Sequence, residues 1–513
     1  MNVILDSIFY STPPLHSTSF SFHPRVWCIR TYNMSSSTHF ADPSSFQQQS
    51  NNFVYWLEGS PGVKVNPKIF LADLRANGAG RGVVARENIE EGEELFSIPR
   101  SLILAVQNSD LKSLLPQDVE ALGPWLSLML VMLYEYLKGD QSKWATYFQI
   151  LPSRFDTLMF WSPAELQELQ ASAIVDKIGK QGADESILES IAPIVRANQT
   201  LFPPVGGLSS YEGDAGAAAL LELAHMMGSL IMAYAFDIEK SEDGDDEAED
   251  PDESYMTDDE EEQLSKGMVP LADLLNADAD RNNARLYQEE DSLIMRAIKP
   301  IHENEEIFND YGEIPRADLL RRYGYVTENY APYDVIELSL KDICLAAGLL
   351  NADVESQPKL EFLEEHDVLE DGYVIPRPLN NASLEDILPA ELVILLTALS
   401  QTPEEFEQRR SKGKLPKPSM DAAQTSLLLK ALQSKQAQYA TSLAEDTQIL
   451  QSLPPAQSLE GPSRRLKMAV QVRMGEKEIF QNILTMLDST AAGSLKRSAN
   501  GDYDSRNSKA ARV

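Results

Sequence analysis

Two tyrosines that are each followed by glycine lie twelve residues apart in the stretch EEIFNDYGEIPRADLLRRYGYV, residues 305–326. Tyr311 ends a run with strand character, and Tyr323 ends a short helix that Pro315 would begin and Gly324 would stop. The strand end and the helix end could deliver two aromatic rings to one channel. Aromatic rings hold cationic groups, although most tyrosines are core residues with satisfied hydroxyls.

Three further segments carry residues suited to a ligand site. In NGAGRGVVA, glycine beside Arg81 permits a positive φ and a close approach of the backbone to a ligand. This segment is neither a P-loop nor a dinucleotide-binding turn, because no Gly-Lys-Ser/Thr and no suitable helix follow it. The second segment is PWLSLM. The third, MVPLADLLNADADRNNARL, places Asn276 after an apolar run, where a simple helix C-cap is an equal alternative.

Metal chemistry is not indicated by the sequence. Cys28 and Cys344 lie far apart and form neither a disulfide framework nor a zinc cluster. Outside the first 50 residues the histidines are His225, His302 and His366. We therefore expect no metal site, and a reducing intracellular compartment fits this cysteine usage.

The elements that must position these residues follow from the hydrophobic pattern. Short strands are predicted between Phe53 and Leu104, where GRGVVA and EELFSIP are separated by a turn. Residues 118–235 show apolar residues at helical spacing, as in PWLSLMLVMLYEYL and AAALLELAHMMGSLIMAYAF. Strand patterns return at Met268, where RLYQEEDSLIMRAI alternates like a hairpin. After Pro332 the pattern is mostly helical.

A similar sequence pattern occurs in both strand regions, and we call it the internal echo. ARENIEEGEELFSIP resembles MRAIKPIHENEEIFNDY, because both contain an isoleucine, an acidic turn and then Glu-Glu-apolar-Phe. Two similar strand-turn-strand units are therefore predicted to flank the helical block.

Both ends of the chain and one internal run have compositions that do not form a core. Residues 1–50 are rich in Ser, Thr, Gln and Pro and are expected to be a disordered tail. A transit peptide is conceivable there, and Met34 could be the start. The run 237–262 has 16 acids and one base and is expected to be a disordered insertion. The polar residues 491–513 are expected to be a second tail.

The net charge indicates the class of partner, and the length indicates the number of domains. The formal net charge is −35, and the acidic run contributes −15, so that −20 remains for the rest of the 513 residues. Such a surface repels nucleic-acid backbones and attracts basic partners, with a merely solvated surface as an equal alternative. We expect a basic protein partner, no direct nucleic-acid binding and no membrane span, because no apolar run approaches roughly 20 residues. The length suggests two domains.

The order and spacing of the four motifs resemble the SET-domain protein lysine methyltransferases. In that family a Gly-rich turn opens the domain, an Asn-His pair follows an apolar strand, and a Tyr-Gly pair closes the domain. The matching residues here are Ala79-Gly80-Arg81, Asn276-Ala277 and Tyr311-Gly312. Ala277 replaces the usual histidine. In the family the backbone of this pair contacts the adenine of the cofactor. Because these are backbone contacts, they do not depend on the histidine side chain.

The helical block between the motifs resembles the large insert of the Rubisco-methyltransferase-like branch, whose ribosomal members look most similar. The resemblance implies an α+β fold, in which a SET-domain β-fold with a large helical insert precedes an all-α C-terminal substrate-binding domain. The implied ranges are 1–50 for a tail, 51–330 for the SET domain, about 115–236 for its insert, 237–262 for the acidic loop, 331–490 for the helical domain and 491–513 for the last tail.

The same resemblance implies that S-adenosylmethionine is the cofactor and that Tyr311 is the catalytic tyrosine, with its hydroxyl near the transferring methyl. The implied cofactor-binding residues are Ala79, Gly80, Arg81, Tyr234, Asn276, Ala277 and Tyr323. The implied substrate-side residues are Trp125 and Asp273. A buried helix anchor is an equal interpretation of Trp125, and a cap or internal pair is an equal interpretation of Asp273.

The chemistry of this reaction explains the residue types. The sulfonium of S-adenosylmethionine carries the methyl group that a lysine amine attacks in line. Holding the two reactants in that alignment can remove several kcal/mol of barrier. Lysine must be neutral to attack, yet its free pKa is about 10.4. A narrow apolar channel and a nearby sulfonium both disfavour the ammonium form.

The resemblance thus implies a protein-lysine N-methyltransferase that acts on a large-subunit ribosomal protein. We expect a monomer in the nucleus, with the cytoplasm as the alternative. Two other functions stay open. One is methylation of a non-ribosomal protein on lysine or histidine, and the other is an inactive SET-like binding module, which the presence of Tyr311 disfavours.

Overall fold

The structure, a computed structural model, describes residues 43–75, 80–239, 264–349, 357–379, 381–454 and 461–510. The chain divides into two compact units. The first contains the residues up to Met159 together with 179–312, and the second contains 160–178 together with the residues from Glu313 onward. The expected division after residue 330 therefore differs from the observed one, which follows Gly312. Residues 160–178, expected in the insert of the first domain, belong to the second unit.

Helices of the first unit follow the predicted apolar spacing. The helix at Pro124 has proline in its first turn, where the missing N–H costs nothing, and it buries every residue from Ser127 to Glu135. The helix at Gly213 buries one face, which includes Leu220, Ala224 and Met227. The α-helices are α1 Pro43–Glu58, α2 Leu111–Leu114, α3 Pro116–Glu120, α4 Pro124–Leu137, α5 Ala145–Phe148, α7 Lys180–Ser186, α8 Ala192–Ala197 and α9 Gly213–Tyr234, with a π-helical turn at Ile187–Ile191.

α9 is also the helix that, among the described residues, is long and apolar enough to cross a membrane. Its buried residues belong to the core of the first unit, where Leu230 and Ile231 are about 2% exposed. This packing is typical of a core helix.

Strands of the first unit form three antiparallel sheets. The strands are β1 Lys64–Val65, β2 Ile69–Asp73, β3 Arg81–Ala85, β4 Glu94–Pro99, β5 Leu104–Ala105, β6 Ala235–Ile238, β7 Ser265–Met268, β8 Ala284–Gln288, β9 Ser292–Ala297 and β10 Glu306–Ile307. Their orders are β1-β4-β9-β8, β10-β3-β2 and β5-β7-β6. The predicted hairpin is confirmed as β8 and β9.

The internal echo has a structural counterpart. β3 pairs with β10 and β4 pairs with β9, so the two strand-turn-strand units lie against each other. Their turns also join, because the N–H groups of Ile89 and Ile301 each donate to the other residue's carbonyl at 2.9 and 3.0 Å. The repeated pattern therefore marks two halves that complete one another's sheets.

Within the described residues the second unit is mostly helical as predicted, but it is not all-α, because two of its strands form an antiparallel sheet. Its strands are β11 Val335–Ser339 and β12 Gly372–Pro376. Its α-helices are α6 Pro163–Gln167, α10 Arg316–Tyr323, α11 Leu340–Ala346, α12 Pro358–Glu364, α13 Leu384–Ile387, α14 Ala390–Ser400, α15 Pro403–Arg410, α16 Ala422–Gln436, α17 Leu443–Ser452 and α18 Gly461–Ala510. Its core lies between β11, β12 and the helices α11, α14, α16 and α18.

Polar contacts explain why 160–178 joins the second unit. Arg473 of α18 donates to the carboxylate of Glu168 at 3.1 Å and also to its backbone carbonyl. Ser172 donates to the buried Glu476 at 2.5 Å. These partners lie about 300 residues further along the chain, so no local sequence pattern predicts the contacts.

Both predicted tails extend less far than expected. α1 begins at Pro43, and Phe46 and Phe53 on one of its faces are buried. This helix therefore occupies the end of the range 1–50. α18 continues to Ala510 and so takes in most of 491–513. Residues 1–42 and most of the acidic run lie outside the described residues.

Candidate active site

The Gly-rich segment at the start of β3 offers its backbone to the site. Arg81 is 6% exposed, and its guanidinium lies 4.2 Å from the ring centroid of Phe46. It donates to Ser50 at 3.2 Å and to the carbonyl of Ile150 at 3.1 Å. Burial lowers the pKa of Arg81 to about 10. The side chain of Arg81 thus attaches α1 to the sheet.

The other predicted residues of this turn are Gly80 and Ala79. A Cβ added at Gly80 would meet nothing within 4 Å, so the backbone there borders open space. The carbonyl of Gly80 accepts a hydrogen bond from the N–H of Leu74 at 2.9 Å. Ala79, the third predicted residue of the turn, lies outside the described residues.

A strained turn precedes Asn276, the asparagine of the Asn276-Ala277 motif, which is the second of the three family motifs. Leu271 has a φ of +77°, a conformation that costs a non-glycine residue energy and that recurs at functional sites. A 3₁₀ turn at Ala272–Leu274 follows. The Nδ2 of Asn276 donates to the carbonyl of Arg81 at 3.2 Å and to Oε1 of Glu306 at 2.6 Å. The first and second motifs are therefore joined directly.

Backbone pairing joins the second motif to the third. Ala277 and Asn309 form a parallel bridge, in which the N–H of Asn309 donates to the carbonyl of Asn276 at 2.9 Å. The N–H of Asp278 donates back to the carbonyl of Asn309 at 3.1 Å. Because these bonds use the residues on either side, the N–H and carbonyl of Ala277 point away from Asn309. Neither group has a hydrogen-bond partner among the described residues.

Tyr311 follows this bridge by two residues. Gly312 has a φ of +78°, which a residue with a Cβ adopts only with strain. Asp310 holds the turn, because its carboxylate accepts from the N–H of Gly312 and from Nδ2 of Asn282, both at 2.8 Å. The half-buried Tyr311 is thus placed by one backbone bridge and one carboxylate.

A second cluster surrounds Asp273, a predicted substrate-side residue. Asp273 is 7% exposed and accepts a short hydrogen bond from the hydroxyl of Tyr147 at Oδ2. Its Oδ1 is buried and has no partner among the described residues. Burial raises the pKa of Asp273 to about 7, even though the Tyr147 hydroxyl and backbone N–H groups oppose that rise. The cluster therefore contains a buried carboxyl oxygen that makes no well-formed hydrogen bond within the described residues.

Tyr147 and Tyr234 belong to the same cluster. Burial, the Asp273 carboxyl and the Tyr234 hydroxyl hold the pKa of Tyr147 well above its usual value, so its proton stays on the phenol. The Tyr147 ring stacks on Trp56 with an interplanar angle of 3° and a centroid distance of 6.4 Å. α1 therefore supports Asp273 through Tyr147. Tyr234 itself ends α9 and packs against the core.

Trp125 and Tyr323 are the two remaining predicted site residues. Trp125 lies in the first turn of α4 and packs against the core of the first unit, as expected of a helix anchor. Tyr323 belongs to the second unit, so its convergence with Tyr311 stays a prediction. Burial raises the pKa of Tyr323 to about 12. Gly324, with a φ of +76°, ends that helix as predicted.

Sequence reasoning missed three residues that shape the site, namely Gly82, Tyr147 and Glu306. Gly82 is part of the quoted Gly-rich segment, but glycine is required there by neighbours that are close in space and distant in the sequence. Glu306 occupies the position in the internal echo that Glu94 occupies in the first copy. Glu94 is exposed whereas Glu306 is half-buried, and this difference is visible only in the structure.

Comparison with known proteins finds matches to both parts of the chain. The SET-domain family model matches residues 80–312, and a model described as Rubisco LSMT substrate-binding matches residues 352–480. Ribosomal lysine N-methyltransferase 4 of Saccharomyces cerevisiae is 36% identical over 361 residues, which cover 68% of this chain and 67% of that protein. N-lysine methyltransferase SETD6 of Homo sapiens is 30% identical and covers 80% of this chain and 84% of its own.

Solved structures support the same fold. Rubisco LSMT bound to AdoMet has a TM-score of 0.60 at 20% identity, with 86% of this chain and 92% of that chain covered. Rubisco LSMT bound to sinefungin and monomethyllysine has a TM-score of 0.62, with 86% and 92% covered. The matched family model begins at Gly80 and ends at Gly312, so it encloses the joined motifs. The chain belongs to the SET-domain protein-lysine N-methyltransferases of the Rubisco LSMT type, which use S-adenosylmethionine as the methyl donor.

Proposed function

We propose that this methyltransferase modifies a lysine of a large-subunit ribosomal protein and works in the nucleus. The observation that carries the proposal is the 36% identity to a yeast enzyme named for ribosomal lysine methylation. The charge supports it, because a chain with a formal net charge of −35 attracts basic proteins.

The joined motifs support the cofactor-binding roles. When bound, S-adenosylmethionine supplies the methyl group as a sulfonium. The Oδ1 of Asn276 has no partner among the described residues and can accept from an ammonium group. The unused N–H and carbonyl of Ala277 can take a donor-acceptor pair such as an adenine edge. These atoms fit the two ends of that cofactor, and Gly80 borders open space beside them.

The roles toward substrate rest on the remaining residues. Tyr311 is the proposed catalytic tyrosine, with its hydroxyl near the transferring methyl. Asp273 is the proposed substrate-side acceptor, because its buried Oδ1 is unused within the described residues. Tyr234 and Tyr323 retain their proposed cofactor-side roles, and Trp125 a proposed substrate-side role.

Replacing Asn276 by alanine should weaken S-adenosylmethionine binding by about 1–3 kcal/mol, the cost of losing one buried polar contact. Calorimetric titration of the variant and the parent with the cofactor measures this change. Asn51→Ala serves as a control, because Asn51 is exposed on α1 and its amide bonds Gln47 at the surface. An unchanged dissociation constant for the Asn276 variant would reduce that residue to a structural cap.

The proposed substrate is tested by incubating the enzyme with radiolabelled S-adenosylmethionine and purified ribosomal subunits. We expect label in one protein of the large subunit, and mass spectrometry then gives the modified residue. The Tyr311→Phe variant serves as the background control. Label in the small subunit alone, or in neither subunit, would contradict the ribosomal assignment.

A second candidate is a non-ribosomal protein substrate. It is favoured by the relatives named simply N-lysine methyltransferase, such as the human protein that covers 80% of this chain. Parallel labelling of a ribosome-depleted extract separates the two candidates. Amino-acid analysis of the labelled product distinguishes methyllysine from methylhistidine.

The acidic run is expected to act on the encounter with a basic target. It connects β6 to β7, which pair directly from Asp237 with Lys266 to Ile238 with Ser265. Asp237 and Ile238, expected within the disordered run 237–262, belong to β6. A short Gly-Ser linker in place of residues 240–262 should therefore close this hairpin and preserve folding and cofactor binding. If the run steers substrate, the linker variant is slower at low salt, and the difference disappears once screening shortens the Debye length below about 8 Å.

Transfer rates of the linker variant and the parent are compared across a salt series, with circular dichroism as the folding control. Superimposed curves would make the run a passive spacer. An unfolded variant would show that the insertion boundaries are wrong.

A further inference from the structure

Glu306 occupies the centre of the contacts that join the first two motifs. It lies on β10 opposite Val84 of β3, and its side chain is half-buried. Its Oε1 accepts from Nδ2 of Asn276 at 2.6 Å, whereas the other acceptor of that amide, the carbonyl of Arg81, lies at 3.2 Å. Glu306 therefore makes the shorter of the two contacts that hold the amide.

These two contacts fix which way the Asn276 amide faces. A side-chain amide has two N–H hydrogens and one acceptor oxygen, and it could in principle sit either way round. The carbonyl of Arg81 can only accept, and the Glu306 carboxylate also accepts, so the NH₂ group must face both of them. Oδ1 is then turned to the opposite side, where it has no partner among the described residues.

Gly82 makes room for this arrangement. A Cβ at that position would lie 2.8 Å from Oε1 of Glu306 and 3.1 Å from Nδ2 of Asn276, closer than ordinary van der Waals contact allows. Glycine at this position therefore lets the carboxylate and the amide lie against the strand. Gly82, Asn276 and Glu306 form one polar unit from three distant parts of the chain.

We propose that Glu306 is a positioning residue, which orients the Asn276 amide so that Oδ1 faces the amino-acid end of the methyl donor. This inference rests on the proposed cofactor role of Asn276. Glu306 acts through Asn276, so its removal should affect only ligands that reach the amide. The adenosine part of the cofactor should bind as before, because the backbone of Ala277 does not depend on Glu306.

Two ligands test this separation by calorimetry. S-adenosylhomocysteine carries the amino-acid part, and 5′-methylthioadenosine lacks it. Glu306→Ala should weaken S-adenosylhomocysteine binding about tenfold and leave methylthioadenosine binding unchanged. Glu306→Gln keeps an acceptor oxygen and should bind both ligands nearly as the parent does. Glu305→Ala is the matched control, since Glu305 is the exposed neighbour on the same strand segment.

A double variant shows whether the two side chains act as one. Asn276→Ala combined with Glu306→Ala should bind S-adenosylhomocysteine no more weakly than Asn276→Ala alone. Additive losses, equal losses for both ligands, or no loss for Glu306→Ala would each overturn the proposal. A failure of Glu306→Gln to rescue would overturn it as well, because it would show that charge matters rather than orientation. If Asn276→Ala itself binds normally, the proposed role of Asn276 has failed instead.

Discussion

Replacing Tyr311 by phenylalanine is expected to slow methyl transfer by about 10²–10³-fold, the usual cost of losing one well-placed polar group in a catalytic site. Cofactor binding should stay nearly unchanged, because phenylalanine keeps the ring and the bridge between Ala277 and Asn309 is made by backbone atoms. Single-turnover transfer from labelled S-adenosylmethionine measures the rate, and calorimetry measures binding.

Tyr287 provides a matched control for this substitution. It lies on β8 with 36% of its surface exposed, so Tyr287→Phe should change neither rate nor binding. Turnover close to the parent's in the Tyr311 variant would remove that residue from the catalytic role. A large loss of cofactor affinity would instead assign its hydroxyl to binding.

The second large effect concerns stability. Asp446 and Arg473 are fully buried and Lys477 is 3% exposed, and both cations bond the one carboxylate. Thr441 also donates to this carboxylate at 2.7 Å. Asp446→Ala would leave two buried cations without that partner, a defect that costs about 3–5 kcal/mol. We expect the unfolding midpoint of the second unit to fall in urea titrations at pH 7.

A surface substitution calibrates that measurement. Glu404→Ala on the exposed side of α15 should change stability by less than about 0.5 kcal/mol. A midpoint for Asp446→Ala that matches this control would show that the buried network makes no net contribution to the free energy of unfolding.

The same carboxylate predicts a dependence on pH. Burial alone would raise the pKa of Asp446, but hydrogen bonds from Arg473, Lys477 and Thr441 outweigh it and hold the pKa below its usual value. A carboxyl whose pKa is lower in the folded state stabilises the fold above its unfolded pKa of about 3.9. This contribution should be lost as the pH falls below about 4, and the Asp446→Ala variant should lack that acid-sensitive part.

Features that depend on local pattern were predictable from the sequence. The apolar spacing gave α4 and α9, and the alternation of RLYQEEDSLIMRAI gave the β8–β9 hairpin. The motif order identified the stretch that ends at Tyr311. Each of these signals lies within one segment, where periodicity or turn chemistry acts directly.

Features that depend on distant partners were not predictable. Tyr147 and Asp273 are 126 residues apart, and Asn276 and Glu306 are 30 apart, so neither hydrogen bond leaves a local pattern. α1 was hidden by its Ser- and Gln-rich composition, although the spacing of Phe46 and Phe53 is helical and could have revealed it.

The assignment of 160–178 to the second unit also sets an order of events during synthesis. Glu168 and its partner Arg473 are separated by 305 residues. At a translation rate of about 5–20 residues per second, that interval lasts roughly 15–60 s. Throughout this time the residues that hydrogen-bond with the nascent segment have not been made. The second unit therefore cannot complete its contacts with residues 160–178 until its last helix has been synthesised.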